Sequence, residues 1–505
     1  MKENTFSRLT DMFSKPWPVI VLAAILFLPL IFIGTHTSHD WGDDFAQYIH
    51  QAGNIVDGIP QSETGYIYNE LNPGFGPQAY PIGFPLLLTP IYGLAGNNMV
   101  AFTTFISLIY VALGLLMVIF YRNYFSQITA VVLALIFLYN PQMILFKREI
   151  MSDIPFTALL VLNFIFYRKL QPGILKQMTL LALLTGFMLT VRPAGIVFVA
   201  AIVMEQFVCF VKRKTNFRNF MIRTGIFIII PVAIYFMLNS ILFNVPSSGS
   251  INDYLLFINS GNVLQAIPEN FSHLIEVFRF LHVPEAGIFR GFSLLLGSVM
   301  VAMTLFGFLK RMLQGPELTE WFFIFYMIML LVLPNNFSSF RLMVPSGFMF
   351  LMYAAAGLKS IRISAEVPTW KKVAVPGILV MLLFIPGIIS IARSQHNVLE
   401  GPQRETSVEA FNYISKNVHA EAVVVFAKPR ALALYSGCRS MADPLTSNPT
   451  LFHTQILKAQ ASYLLIHTNL TAETMKRYTQ VMQKHLTRQW ENKDFVLYKL
   501  NPVNP

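Results

Sequence analysis

The chain has 505 residues, of which 54% are hydrophobic and 12% charged, against about 25% charged in an ordinary soluble protein. A mean hydropathy of +0.54 marks a polytopic membrane protein, and the net charge of +11 reflects Lys and Arg in loops beside anionic lipid, which argues against nucleic acid as a partner. Two cysteines, Cys209 and Cys438, exclude a cysteine metal cluster and a disulfide framework.

Eleven apolar stretches approach the ~20 residues needed to cross a bilayer: 17–34, 98–120, 128–146, 152–167, 177–191, 193–211, 222–243, 289–309, 319–334, 341–358 and 373–392. The first is too long for a signal-peptide core and no small-residue cleavage site follows it, so it is expected to be retained. Basic residues precede the first span (Lys2, Arg8, Lys15) and follow each even-numbered one (Arg122; Arg168 and Lys169; Lys212 to Lys214; Lys310 and Arg311; Lys359 and Arg362). With eleven spans all of these clusters share one face, the cytosol. The stretch 80–96 is also apolar, but counting it as a span would invert every later loop. It is therefore expected to lie in the outer interface or to be re-entrant.

On the outer face the first loop, 35–97, carries His39-Asp40-Trp41-Gly42-Asp43-Asp44. A helix should follow through Phe45, Tyr48, Ile49, Ala52 and Ile55. A cap at the helix N-terminus accounts for one of the two acids, Asp43 or Asp44. The second calls for a chemical role. The next outer loop holds Lys147, Arg148, Glu149 and Asp153 within seven positions. Two cations there could hold a phosphate, and Asp153 could bind a sugar, a nucleophile or a metal. The plainer reading is interfacial snorkelling by Lys147 and Arg148, with Asp153 as a cap. Arg192 and Arg341 each stand at the outer end of a span beside a proline, and arginine binds phosphate bidentately.

After the last span, 394–404 reads as a linker and 405–505 as a small α/β domain outside the cytosol. Its expected elements are a helix over 406–418, strands at 422–427 and 461–467, a long basic helix over 471–490, and a strand at 495–500. Lys428-Pro429-Arg430 could meet a phosphate, but a solvated turn is the simpler reading.

These motifs, in this order, resemble the GT-C class of membrane glycosyltransferases, which includes protein mannosyltransferases and the lipid A aminoarabinose transferase. The resemblance rests on Asp43-Asp44 with Tyr48, Ala52, Asn54 and Gly58, on the Pro-containing segment Tyr80-Pro81 to Gly96, and on Asp153 to Phe156. It covers roughly residues 15–360. Family members place the catalytic Asp first in an Asp-Glu pair, with an aromatic residue four positions on. Tyr48 puts Asp44 in that slot; Phe45 replaces the usual acidic partner, so the choice between Asp43 and Asp44 stays open.

The resemblance implies a GT-C-like membrane domain through residue 393 and an enzyme that moves a hexosyl or pentosyl group, with inversion, from a polyprenyl-phosphate donor to an acceptor hydroxyl. An Asp would be the general base. Lys147, Arg148, Asp153, Arg192 and Arg341 would bind the donor phosphate and sugar, and Tyr48 and Tyr80 would line the substrate groove. A bacterial inner membrane is the expected location, with the N-terminus cytosolic. The acceptor could be a protein, a glycolipid or a cell-envelope polymer. A divalent metal is left open; Asp43, Asp44 and Asp153 are the carboxylates it would use. The competing classes are a transporter or flippase of lipid-linked sugars, which should carry ionisable groups near the membrane midplane, and a non-catalytic scaffold.

Overall fold

The computed structural model describes residues 16–501 apart from 70, 73–75, 172–173, 247–263, 265, 269, 271–287, 334–338, 362–367, 369 and 395–396. The first basic residues and most of the loop 244–288 lie outside the described residues. The membrane portion is helical: α1 (Pro16–Phe27), α2 (Asp44–Asp57), α3 (Gly83–Ala95), α4 (Met99–Tyr121), α5 (Gln127–Leu138), α6 (Pro141–Phe146), α7 (Asp153–Arg168), α8 (Leu175–Val191), α9 (Ile196–Val211), α10 (Phe217–Phe236), α11 (Ile288–Gln314), α12 (Leu318–Leu331), α13 (Ser339–Ser360) and α14 (Lys371–Ser394). Among the described residues, five helical segments are long and apolar enough to cross a membrane: Met99–Tyr121, Pro193–Val211, Phe217–Leu242, Arg341–Ser360 and Lys371–Ser394. The chain is an integral membrane protein.

The helices pack as membrane helices do, through small residues that let backbones approach. A Cβ added at Gly307 would overlap the Tyr353 carbonyl, and one at Gly357 the Met303 carbonyl, so α11 and α13 meet backbone to backbone. One end of the bundle gathers Arg168, Arg311, Glu317 and Glu320. Arg311 Nε sits 2.6 Å from Glu320, and both arginines stack on Tyr124. Arg168 and Asp153 are the two ends of α7, a separation of roughly 22 Å at 1.5 Å per residue. The acids and arginines near Asp153 therefore belong to the opposite end.

At that end, α2 and α3 lie beside each other. Gly58 closes α2 in a left-handed conformation, φ 68°. A stripe of buried amides on α2, at spacings of four and three, ties down the loop after it. Gln47 donates to Gln78 O at 2.6 Å, Gln51 pairs with both the N–H and C=O of Tyr80 at 2.9 Å, and Asn54 donates to Pro60 O and Glu63 O. At thirteen residues, α3 is about 20 Å long, short of a span.

Beyond α14 the chain forms α15 (Glu405–Asn417), α16 (Pro429–Ser436), α17 (Pro449–Lys458) and α18 (Glu473–Val481) around a six-stranded sheet of order β1-β3-β2-β4-β6-β5. Strands β2 (Val423–Val425), β3 (Arg439–Met441), β4 (Ala461–His467), β5 (Leu486–Glu491) and β6 (Phe495–Leu500) come from this region. The edge strand β1 (Tyr66–Ile67) comes from the first outer loop and pairs in parallel with β3. The long helix expected over 471–490 is corrected: α18 stops at Val481, and Leu486–Glu491 is a strand. Arg488 and Glu491 are about half exposed there, so the polar sequence is that of a solvated outer strand.

The segment read as a linker is packed. Gly401 lies against the His39 backbone so closely that a Cβ would overlap the His39 carbonyl, and Gln403 accepts the His39 N–H at 2.8 Å. Trp41 of the first loop plugs into the C-terminal unit, with its ring 5.9 to 6.4 Å from Phe411, Phe426, His467 and Phe495.

Candidate active site

The site is built where α2 begins. Asp43 sits at φ 75°, a conformation rarely adopted by a non-glycine residue and one that stores strain. Neither Asp43 nor Asp44 provides the capping expected of it: the helix start has no side-chain cap bond. The turn instead aims the two carboxylates in different directions. Asp43 Oδ1 accepts the Ala431 N–H at 3.0 Å, and its buried Oδ2 has no hydrogen-bond partner among the described residues. Burial pushes its pKa up to about 6, against the pull of Arg430.

Asp44 faces the membrane portion and is the centre of a charged network. Arg341 Nη1 donates to Oδ2 at 2.5 Å. Tyr80 Oη and Arg430 Nη1 donate to Oδ1 at 2.6 and 2.9 Å. Burial raises the Asp44 pKa, but the two guanidiniums and the Tyr80 hydroxyl outweigh it and hold the carboxyl below its ordinary value. Arg341 also reaches Asp153: Nε donates to Oδ2 at 2.9 Å. Asp153 is fully buried and pairs through its other oxygen with Arg192. It opens α7 without acting as a side-chain cap, since the cap position belongs to Ser152. Tyr48 stacks on Tyr80 with centroids 4.5 Å apart, and its hydroxyl lies 3.3 Å from Ser152 Oγ.

Asp43, Asp44, Asp153, Arg192, Arg341, Tyr48 and Tyr80 thus converge at one end of the bundle, as one set of neighbouring contacts. Lys147 and Arg148 have other partners. Lys147 is buried and donates to Ser107 Oγ at 2.8 Å, so it does not snorkel to the interface. Arg148 Nη1 lies 3.3 Å from His36 Nε2. Asp43, Asp44 and Asp153 do not form a ligand set for a metal, because arginines occupy both oxygens of Asp153 and share those of Asp44. A different group, His39, Asp40 and Glu149, does place potential ligand atoms within 4.8 Å of one another. His39 gives one ring nitrogen to each acid, Nδ1 to Asp40 at 3.2 Å and Nε2 to Glu149 at 3.4 Å. Burial lowers the His39 pKa, but the two carboxylates outweigh it and the net shift is upward.

Arg430 is the member of the site that sequence reasoning placed in a solvated turn. It is 1% exposed. Besides Asp44 it bonds Tyr80 Oη at 2.9 Å and Pro77 O at 2.8 Å, and it stacks on the rings of Tyr66 and Tyr80. The signal was its setting: an arginine just inside a proline-started helix whose next residues are Ala431, Leu432 and Ala433, all buried.

Residues 79–237 match the family model of dolichyl-phosphate-mannose-protein mannosyltransferases. No curated protein sequence matches the chain. Among solved structures, the chain is similar to ArnT from Cupriavidus metallidurans bound to undecaprenyl phosphate, with a TM-score of 0.54 at 13% identity over 95% of this chain and 97% of that one. It is similar to the archaeal oligosaccharyltransferase AglB from Archaeoglobus fulgidus, in complex with an inhibitory peptide and a dolichol-phosphate, with a TM-score of 0.53 at 13% identity over 90% and 70%. It is also similar to the mycobacterial arabinofuranosyltransferase AftD, with a TM-score of 0.51 at 12% identity over 97% of this chain and 42% of that one. The fold is that of the GT-C class.

Proposed function

We propose that this GT-C-fold protein transfers a sugar from a polyprenyl-phosphate donor to an acceptor hydroxyl at the outer membrane face, with inversion and with Asp44 as general base. The observation that carries this reading is the convergence of Asp44, Tyr80, Arg192 and Arg341 at one end of the bundle, next to the short apolar helix α3. A base and anion-binding groups in contact are what displacement of a lipid phosphate requires. Of the two acids, Asp44 is the one with its side chain partly open, at 19% exposure; Asp43 is sealed against α16. The solved neighbours that hold undecaprenyl phosphate and dolichol-phosphate support the donor class. The test is incubation of the purified protein with labelled polyprenyl-phosphate sugars and membrane extract. A labelled product that depends on the protein is expected. Movement of intact donor across vesicles without a new glycosidic bond would replace this reading with a flippase.

Arg192→Ala and Arg341→Ala should each weaken use of the donor about ten- to a hundredfold, since a charge-assisted contact is worth roughly 1.5–3 kcal/mol. The defect belongs in donor saturation curves and not in acceptor curves. Unchanged donor curves in both variants would remove the arginines from the phosphate site.

The topology belongs to the same proposal: eleven spans, a membrane domain through residue 393, a junction over 394–404, and an α/β domain from 405 outside the cytosol. Cys438 is buried and will not report on sidedness, but Val398 is 61% exposed. An impermeant thiol reagent on intact cells should label a Val398→Cys variant and leave Cys209 unlabelled. Labelling of position 398 only after the membrane is opened would invert the assignment and put Asp44 together with the α/β unit it contacts on the cytosolic face.

A further inference from the structure

Both oxygens of Asp44 are occupied, and a carboxylate can accept a proton only through an oxygen that comes free. Oδ2 holds Arg341, and Oδ1 holds Tyr80 and Arg430. The two arginines differ in how firmly they are placed. Arg430 is sealed: its side chain is 1% exposed, a second bond runs to Pro77 O, and its guanidinium lies 4.8 and 4.9 Å from the centres of the Tyr66 and Tyr80 rings. Moving it would break every one of these contacts and strand a buried cation. The Arg341 side chain is 22% exposed and has a second carboxylate, Asp153, which keeps Nε if Nη1 swings away. An entering phosphate offers that Nη1 an equivalent charge-assisted bond.

The geometry points to a division of labour that rests on the glycosyltransferase reading. Arg430, delivered by the C-terminal α/β unit, is the fixed positioning residue that holds Asp44 Oδ1, and Arg341 is the movable arm that a polyprenyl phosphate draws off Oδ2. In the resulting step the acceptor O–H bond breaks and its proton goes to Oδ2. The oxygen's electron pair forms the bond to the anomeric carbon. The bond from that carbon to the phosphate oxygen breaks, and its pair leaves with the polyprenyl phosphate, whose charge falls to Arg341 and Arg192. The α/β unit is then part of the catalytic machinery, since it sets the direction of the base.

The test uses full-length protein in detergent with Arg430→Gln, Arg341→Gln and the charge-keeping Arg430→Lys. Undecaprenyl phosphate without sugar, titrated by calorimetry, should bind Arg341→Gln about tenfold more weakly or worse, and Arg430→Gln as it binds the unaltered protein. In turnover, Arg430→Gln should lower kcat about tenfold or more and leave the donor KM in place. Its acidic pH limb should move upward, because removing a cation beside Asp44 raises that carboxyl's pKa. Arg430→Lys should return the limb and part of the rate. A limb that stays put in folded Arg430→Gln, or lipid binding lost equally in both Gln variants, overturns the assignment. If Arg430→Gln does not fold, Arg430→Lys decides: its kcat must fall with undecaprenyl phosphate binding intact, because an ammonium lacks the bidentate fork, and an undiminished kcat is fatal. Should the unaltered protein turn over no lipid-linked sugar, the glycosyltransferase reading fails, and the lipid titration still decides between the two arginines.

Discussion

Asp44→Asn should reduce sugar transfer by about two to four orders of magnitude, the usual worth of a positioned base, while the protein still reaches the membrane and binds detergent as a monodisperse species. The amide keeps the shape of the carboxylate and can still accept from Tyr80 and Arg430 through its oxygen. It cannot take a proton at neutral pH. Asp43→Asn should cost much less, because Asp43 is turned toward the Ala431 N–H and does not join the bonds that link Asp44 to Arg341 and Tyr80. Assays of initial rate at saturating donor separate the two. If Asp43→Asn is dead and Asp44→Asn is active, the strained turn serves the opposite acid. If both are active, no carboxylate at the start of α2 is the base.

The second large effect is on stability. Asp153 is the sole carboxylate shared by Arg192 and Arg341 among the described residues, and it is fully buried. Asp153→Ala leaves two neighbouring guanidiniums with one partner removed from each. Breaking a buried pair from one side costs about 3–5 kcal/mol, so the variant should melt well below the unaltered protein in a detergent thermal scan. Asp153→Asn, which still offers one acceptor oxygen, should lie between them. A melting curve for Asp153→Ala that overlays the parent would mean that solvent or lipid headgroups, and not Asp153, neutralise these arginines.

Much of this site is legible in the chain because each residue interrupts an apolar run at its end. Asp153, Arg192 and Arg341 carry charge where a span should have none, and charge of that kind has few places to go except toward other charge. The same logic marks Lys147 and Arg148 but cannot choose their partners. Lys147 reaches across to Ser107 on α4, and Arg148 turns to His36. Arg430 was hidden for a different reason. It meets Asp44 across 386 positions of sequence, and no local pattern records a contact between two folding units. The two-residue strand β1 is below the length at which alternation of side chains can be read. The 486–491 strand carries so many polar residues that it continues the pattern of the helix before it.

The strand β1 has a consequence for biosynthesis. Asn69, just past β1, donates to the Ala442 carbonyl 373 positions later, and the edge of β3 is covered only when Tyr66–Ile67 reaches it. During synthesis the first outer loop must therefore wait, unpaired, while almost the whole bundle is inserted. The closing of so distant a contact is slow compared with helix formation. Chain termination anywhere before Arg439 leaves β1 without its mate, and termination before Arg430 also leaves Asp44 without that arginine. The sheet edge and the charged network around Asp44 are therefore completed only as the ribosome passes through about the last hundred codons.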